Sequence, residues 1–158
     1  MKEEKVNISF IKVHPSAKLP SKAFESDSCF DVYCCEKTTI PGSKVIDGKF
    51  VVGTARIPVG LKVGYITPGW SFATKNKSGI SANKLIIRAG GEFDNSYRGS
   101  VEIPLYNLSD KDHTFEVGDK VVQFKIERVV QTEVDFIEEP IEASCSRGEG
   151  GFGSSGRK

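Results

Sequence analysis

The chain has 158 residues, and 22 Lys+Arg against 21 Asp+Glu give a formal net charge of +1. That length suits one domain able to bury a core without a disulfide or metal staple, and the balanced charge excludes a protein held on nucleic acid by a general basic surface. At 38% hydrophobic and 27% charged residues the composition is that of a folded, soluble chain, with no apolar run near the roughly 18 residues of a membrane span.

Met1-Lys2-Glu3-Glu4-Lys5 lacks the apolar core of a secretion signal. The expected setting is therefore intracellular, in cytoplasm or nucleus, and reducing. The cysteines agree. Cys29, Cys34, Cys35 and Cys145 contain no C-x-x-C pair, and His14 and His113 lie in unrelated contexts. Neither a zinc site nor a disulfide framework is expected; the cysteines are expected to be small apolar side chains in or near the core.

Val and Ile number 15 and 13, while Leu and Ala number only 5 and 7. β-branched residues fit pleated, half-buried surfaces better than helices, so strands are expected to dominate. Val6, Ile8 and Phe10 alternate with Asn7, Ser9 and Ile11 and predict a first strand. Residues 14–28 are rich in Pro, Ser and Lys and predict a long loop. A short strand follows over Phe30–Cys34. Pro41-Gly42 marks a turn, and Asp47-Gly48 between Val45-Ile46 and Phe50-Val52 marks a hairpin. Ile57, Val59, Leu61, Val63 and Tyr65 then share one parity. Pro58, Gly60 and Gly64 on the other parity predict an edge or bulged strand.

Thr67-Pro68-Gly69 turns into a strand beginning at Trp70. Ser78–Leu85 is the one stretch with helical character. Val101, Ile103 and Leu105 alternate with Glu102, Pro104 and Tyr106. After Val117-Gly118-Asp119, a strand places Val122, Phe124 and Ile126 on one face and Gln123 on the other. Val134 and Phe136 predict a last strand. Many short strands with turn signals every 8–12 residues indicate a β-sandwich or barrel. Residues 143–158 hold five Gly and four Ser and predict a flexible C-terminal arm beyond a β domain spanning 1–142.

That arm has two readings. It is a flexible terminus, or it closes over a ligand. Glycine backbones approach phosphates closely, Arg147 carries a donor fork suited to phosphate, and Phe152 offers a flat apolar face to a base. Gly148–Gly153 also spells G-x-G-x-x-G, but neither a preceding strand nor a following helix supports a dinucleotide fingerprint. Asp94 sits in Ala89-Gly90-Gly91-Glu92-Phe93-Asp94-Asn95-Ser96-Tyr97-Arg98-Gly99, where flanking glycines suggest a tight hairpin approached by a ligand.

The order of these segments resembles the trimeric dUTP pyrophosphatases, the dUTPases. Ser28-Cys29-Phe30-Asp31-Val32-Tyr33 resembles the first family motif. Asn76-Lys77-Ser78-Gly79-Ile80-Ser81 resembles the second, and Gly91-Glu92-Phe93-Asp94-Asn95-Ser96-Tyr97-Arg98-Gly99 the third. Gly118-Asp119-Lys120-Val121-Val122-Gln123 resembles the fourth, and Arg147–Gly156 the fifth. The resemblance implies an all-β, jelly-roll-like β-clip fold with one short helix and a Gly-rich tail. It implies a homotrimer with shared sites, acting on dUTP with Mg²⁺ and contacting neither nucleic acid nor membrane. Water would attack the α-phosphorus, releasing dUMP and pyrophosphate, so that uracil is kept out of DNA.

In that family, Asp94 would be the general base and Tyr97 would pack under the deoxyribose. The Gly91 hairpin would read uracil. Lys77, Ser78, Gly79 and Gln123 would contact phosphates, with Lys77 in place of the family's Arg. Asp31 would reach the metal through water. Arg147, Gly153, Ser154 and Ser155 would hold the distal phosphates, and Phe152 would stack on uracil. Departures are Asn76 and Lys77 for Pro and Arg, Cys29 for Gly, Phe30 for Tyr, Glu92 for an apolar residue, and a longer connection over 42–55. Two alternatives keep the fold: a dCTP deaminase-like enzyme, and a regulatory binding protein that uses the 42–55 segment.

Overall fold

The computed structural model describes residues 5–138. Two four-stranded sheets face each other. The first has the order β1-β6-β10-β8, built from β1 (Ile8–Lys12), β6 (Gly53–Ile66), β10 (Ser100–Asn107) and β8 (Ile86–Arg88). The second runs β2-β12-β7-β9, from β2 (Cys29–Tyr33), β12 (Lys120–Arg128), β7 (Trp70–Lys75) and β9 (Glu92–Phe93). Two small ribbons complete the strands: β3 (Thr38–Ile40) with β11 (His113–Phe115), and β4 (Lys44–Ile46) with β5 (Lys49–Val51). One helix, α1 (Ser78–Lys84), joins the two sheets. This is the all-β, jelly-roll-like architecture expected from the strand count and the resemblance.

Alternating side chains build the core. Ile57, Val59, Leu61 and Val63 of β6 meet Val101, Ile103 and Leu105 of β10, all buried. From the second sheet come Val32, Val122, Phe72, Phe93 and Phe124. Phe72 stacks on Phe93 with ring centres 4.6 Å apart and lies 4.7 Å from Phe124. Phe10 of the first sheet meets Phe72 edge-on at 5.9 Å. This aromatic cluster is the contact between sheets, and each ring contributes both area and edge geometry.

Cys34 and Cys35 are buried and free, as expected, and Cys29 is half-buried. Burial pushes the Cys34 and Cys35 thiols up, which keeps them neutral. Asp47 and Gly48 both have positive φ, 50° and 75°, so the β4–β5 turn is the tight hairpin its Asp-Gly pair predicts.

One expectation is resolved and two need correction. Of the edge or bulged strand expected for β6 it is the bulged one: β1 and β10 flank it, and its register with β1 shifts between Ser9 and Phe10. Its proline is tolerated because the β1 ladder ends at Leu61, leaving Pro58 paired only with β10 while its carbonyl accepts from the Cys35 amide at 3.0 Å. The parity of β6 also breaks before Tyr65, which is exposed while Ile66 is buried. A bulge there pairs Ser9 with Tyr65 but Phe10 with Val63, and an extra residue flips the faces. Finally, Val134 and Phe136 form no strand. They are 89% and 108% exposed, and among the described residues no strand extends past Arg128 to include them.

Candidate functional site

The second sheet carries Asp31, Gln123 and Lys75 on one face. Asp31 of β2 lies directly opposite Gln123 of β12, which lies opposite Lys75 of β7. Opposed residues share a face, so Asp31 and Gln123 project away from Val32, Val122 and Phe124. The strand period thus places Gln123 as expected.

Asp31 is only 4% exposed and is held from three sides. Lys77 Nζ donates to Oδ1 at 3.0 Å, Gln123 Nε2 donates to the same oxygen at 3.2 Å, and Lys120 Nζ donates to Oδ2 at 2.6 Å. Burial alone would push this carboxyl up. The Lys120 and Lys77 ammonium groups outweigh that and hold it below its ordinary value. The same contact raises Lys120. A carboxylate accepts about four hydrogen bonds. Three are used, which leaves room for one water but no direct magnesium site; the donor set fits Mg²⁺ only through solvent.

Lys77 is the residue before α1, and Ser78 and Gly79 are its first turn. The Ser81 amide and hydroxyl both donate to the Lys77 carbonyl, at 2.9 and 3.3 Å, fixing where the lysine leaves the backbone. Asn76, which departs from the family's proline, accepts from the Arg88 amide at 2.9 Å and ties this segment to β8.

The Gly91 hairpin stands at the far edge of the same sheet. Thr74 is fully buried on β7. Its amide donates to the Gly91 carbonyl and its hydroxyl to the Gly90 carbonyl, each at 2.7 Å. Gly91 has φ 120°, and a Cβ there would stand 2.0 Å from Thr74 Oγ1. Only glycine fits. Asp94 follows β9 and is exposed. Asn95 anchors the turn by donating to the Thr67 and Trp70 carbonyls at 2.8 Å each. Tyr97 sits edge-on to Phe93 at 5.7 Å, and its hydroxyl donates to the Ser100 carbonyl at 2.7 Å. A shallow cavity of about 300 Å³ lies here, lined by Gly91, Glu92, Phe93, Tyr97 and the facing Arg56 and Glu102. The departing Glu92 lines it beside Gly91.

The structure therefore brings Asp31, Lys77 and Gln123 together, and keeps Gly91, Asp94 and Tyr97 together elsewhere. β12 and β7 separate β2 from β9, which is three strand spacings, or roughly 14 Å. Arg147, Phe152, Gly153, Ser154 and Ser155 lie outside the described residues, as does the whole 143–158 arm. Sequence reasoning missed Lys120, Asn95 and Thr74. Lys120 stands within the fourth motif, three residues before Gln123, and an outward lysine beside a strand aspartate was the available signal.

The dUTPase family model matches residues 15–156. This chain belongs to the dUTPase family. Deoxyuridine 5'-triphosphate nucleotidohydrolase of Helicobacter pylori strain P12 is 35% identical over 153 residues, spanning 96% of this chain and 97% of the relative. The protein of the same name from Debaryomyces hansenii is 31% identical over 145 residues, spanning 90% and 82%. Among solved structures, the Staphylococcus bacteriophage 80alpha dUTPase with dUPNHPP superposes with a TM-score of 0.80 at 20% identity, covering 96% of this chain and 99% of that one. A mutant dUTPase from S. aureus phage phi11, described with a coordinated structural Mg(II) ion, gives 0.71 at 18% identity over 86% of this chain and 99% of its own. The dUTPase fold thus accounts for both sheets. Among the described residues, no helix is long and apolar enough to cross a membrane.

Proposed function

We propose that the chain hydrolyses dUTP to dUMP and pyrophosphate at sites assembled from more than one copy. The observation that carries this is the separation within one chain. A base positioned on the attacking water and the side chains that clamp the phosphates must converge on one triphosphate. Asp94 follows β9, and Asp31, which gathers the cluster, lies on β2, three strand spacings or roughly 14 Å across the sheet. A homotrimer that sets the Gly91 hairpin of one copy against the lysine cluster of another closes that gap. The exposed strand-patterned Val134 and Phe136 support assembly, because such a segment is stable only with a partner edge.

In this reading Tyr97 underlies the deoxyribose and excludes a 2′-hydroxyl, and the Gly90–Gly91 backbone, locked by Thr74, reads uracil. Gln123, Ser78, Gly79 and Lys77 bind phosphates. Lys77 is a point charge where a guanidinium would be a fork, so it neutralises without fixing a bidentate geometry. Bound Mg²⁺ would supply charge neutralisation on the leaving pyrophosphate, with Asp31 as its water-mediated anchor. Asp31 also holds Lys77 and Lys120 extended at the sheet face, ready for the phosphates. The 143–158 arm would close over the nucleotide through Arg147, Phe152, Gly153, Ser154 and Ser155. The test is steady-state pyrophosphate release by Asp94→Asn. Asp94 is exposed, so the fold should survive while turnover falls on the order of 10²–10⁴-fold. Turnover near that of the unaltered chain sinks the assignment.

A further inference from the structure

A second cluster lies just past the ends of β1 and β2. His14 follows β1, Cys35 and Glu36 follow β2, and all three line one cavity with Gly60 of β6, where the register with β10 shifts between Ser100 and Glu102. Their ligand-type atoms lie within 4.8 Å of one another, and among the described residues this is a group of mixed nitrogen, sulfur and oxygen donors. Gly60 makes the approach possible. It has φ 68°, and a Cβ there would stand 2.6 Å from His14 Cβ and 3.0 Å from Cys35 Sγ. A cavity of about 180 Å³ opens beside them, lined by His14, Cys35, Glu36, Gly60 and Glu102. The thiol is buried at its base, while the imidazole and carboxylate are 29% and 58% exposed toward the mouth. A small solute entering from solvent meets oxygen, then nitrogen, then sulfur.

We propose that His14, Cys35 and Glu36 bind a borderline-soft divalent cation of the zinc class. Thiolate and imidazole select such ions over magnesium or calcium, which take oxygen donors. The spacing fits. Bonds of about 2.0–2.2 Å to nitrogen and oxygen in a tetrahedron set the two ligands about 3.4 Å apart. His14 Nε2 and Glu36 Oε1 are 3.5 Å apart. A sulfur at about 2.3 Å from the ion would stand about 3.6 Å from either partner, so the 4.8 Å bound requires the thiol to close by about 1 Å at most. The fourth position belongs to water. His14 Nδ1 accepts from the Ser16 amide at 3.1 Å. Ligation through Nε2 places the ring proton on Nδ1, so the Ser16 amide must turn to solvent when the ion binds. The ion would tie the end of β1, in one sheet, to the end of β2, in the other. This is separate from the phosphate face and independent of hydrolysis.

The experiment is titration of the full chain with Co²⁺ as a spectroscopic substitute, followed by displacement with Zn²⁺. The expected result is one equivalent of cobalt giving a thiolate-to-metal charge-transfer band and tetrahedral visible bands, both lost on adding zinc. Cys35→Ser should abolish the charge-transfer band, and Cys145→Ser should keep it. Glu36→Gln changes an exposed side chain and leaves the fold intact; it should weaken cobalt affinity by at least about tenfold. Pyrophosphate release should be the same with and without Zn²⁺ in the Cys35→Ser variant. Absence of a thiolate band in the unaltered chain overturns the proposal. So does a band that persists in Cys35→Ser, or an affinity unchanged in Glu36→Gln.

Discussion

Gly91→Ala is the sharpest probe of how the fold builds the Gly91 hairpin. The added methyl would stand 2.0 Å from Thr74 Oγ1 and 2.7 Å from Thr74 Cγ2, both on a fully buried side chain. Thr74 can yield only by giving up its bond to the Gly90 carbonyl, and a buried polar group left unpaired costs about 1–3 kcal/mol. Alanine at φ 120° adds a further ~1–3 kcal/mol of backbone strain. Together the two terms give about 2–6 kcal/mol. For a chain of this size each kcal/mol lowers the melting temperature by about 2–4 °C. The assay is thermal unfolding at fixed protein concentration, since assembly makes the midpoint concentration-dependent. Removing Thr74's branch in a Gly91→Ala, Thr74→Ala double variant should recover only part of the steric loss, because the residue-74 Cβ still stands 2.9 Å from the added methyl and the Gly90 carbonyl loses its donor. Melting of Gly91→Ala within a degree of the unaltered chain would refute the locked hairpin.

Asp31→Asn should lose about 1–2 kcal/mol at neutral pH, the charge-assisted bonds being discounted for lysines 30% and 42% exposed. The lowered carboxyl contributes stability above its unfolded value near 3.8 and loses it as pH falls through the lower folded value; the gap between Asp31→Asn and the unaltered chain in acid unfolding should therefore begin to narrow near pH 4 and go on shrinking as the pH falls further, and a gap that stays constant on acidification contradicts the ion-pair account. Phe72→Ala, at the centre of the aromatic cluster, should cost about 3–5 kcal/mol by denaturant unfolding. Ending the chain at Ser146 should remove most pyrophosphate release while leaving the melting curve nearly unchanged. Mixing that chain equally with Asp94→Asn chains should restore activity at about a quarter of the sites if random trimers share them; no recovery after mixing argues against shared sites.

The sandwich was legible because strands of half-buried sheets alternate. Val122, Phe124 and Ile126 against Gln123 gave the correct face, and Asp47-Gly48 gave the correct turn. What sequence could not give is register and neighbourhood. Gly64 announced a bulge but not its consequence, that Tyr65 turns outward and Ile66 inward. Pro58 signals an edge, but β1 simply stops short of it, so a central strand accommodates the ring. Val134 and Phe136 have strand character yet pair with no strand among the described residues, so periodicity outran topology. At the site, the motifs supplied residue identities but not distances. Asp31, Lys77 and Gln123 come from three separate segments, and only the pairing of β2 with β12 makes them one cluster. Lys120 escaped notice because a lysine in a turn-to-strand segment is ordinarily solvated, and only its 2.6 Å contact with Asp31 marks it.

The central claim is that this outer sheet face and the Gly91 hairpin serve one reaction on one nucleotide. The most direct measurement is pyrophosphate release by the full chain across dUTP, dCTP, dTTP and UTP, with the nucleotide product identified in each case. The account predicts release from dUTP with dUMP as product, and little from dTTP, whose methyl meets the hairpin, or from UTP, whose 2′-hydroxyl meets Tyr97. Equal release from all four, or conversion of dCTP to a uracil nucleotide, would contradict it.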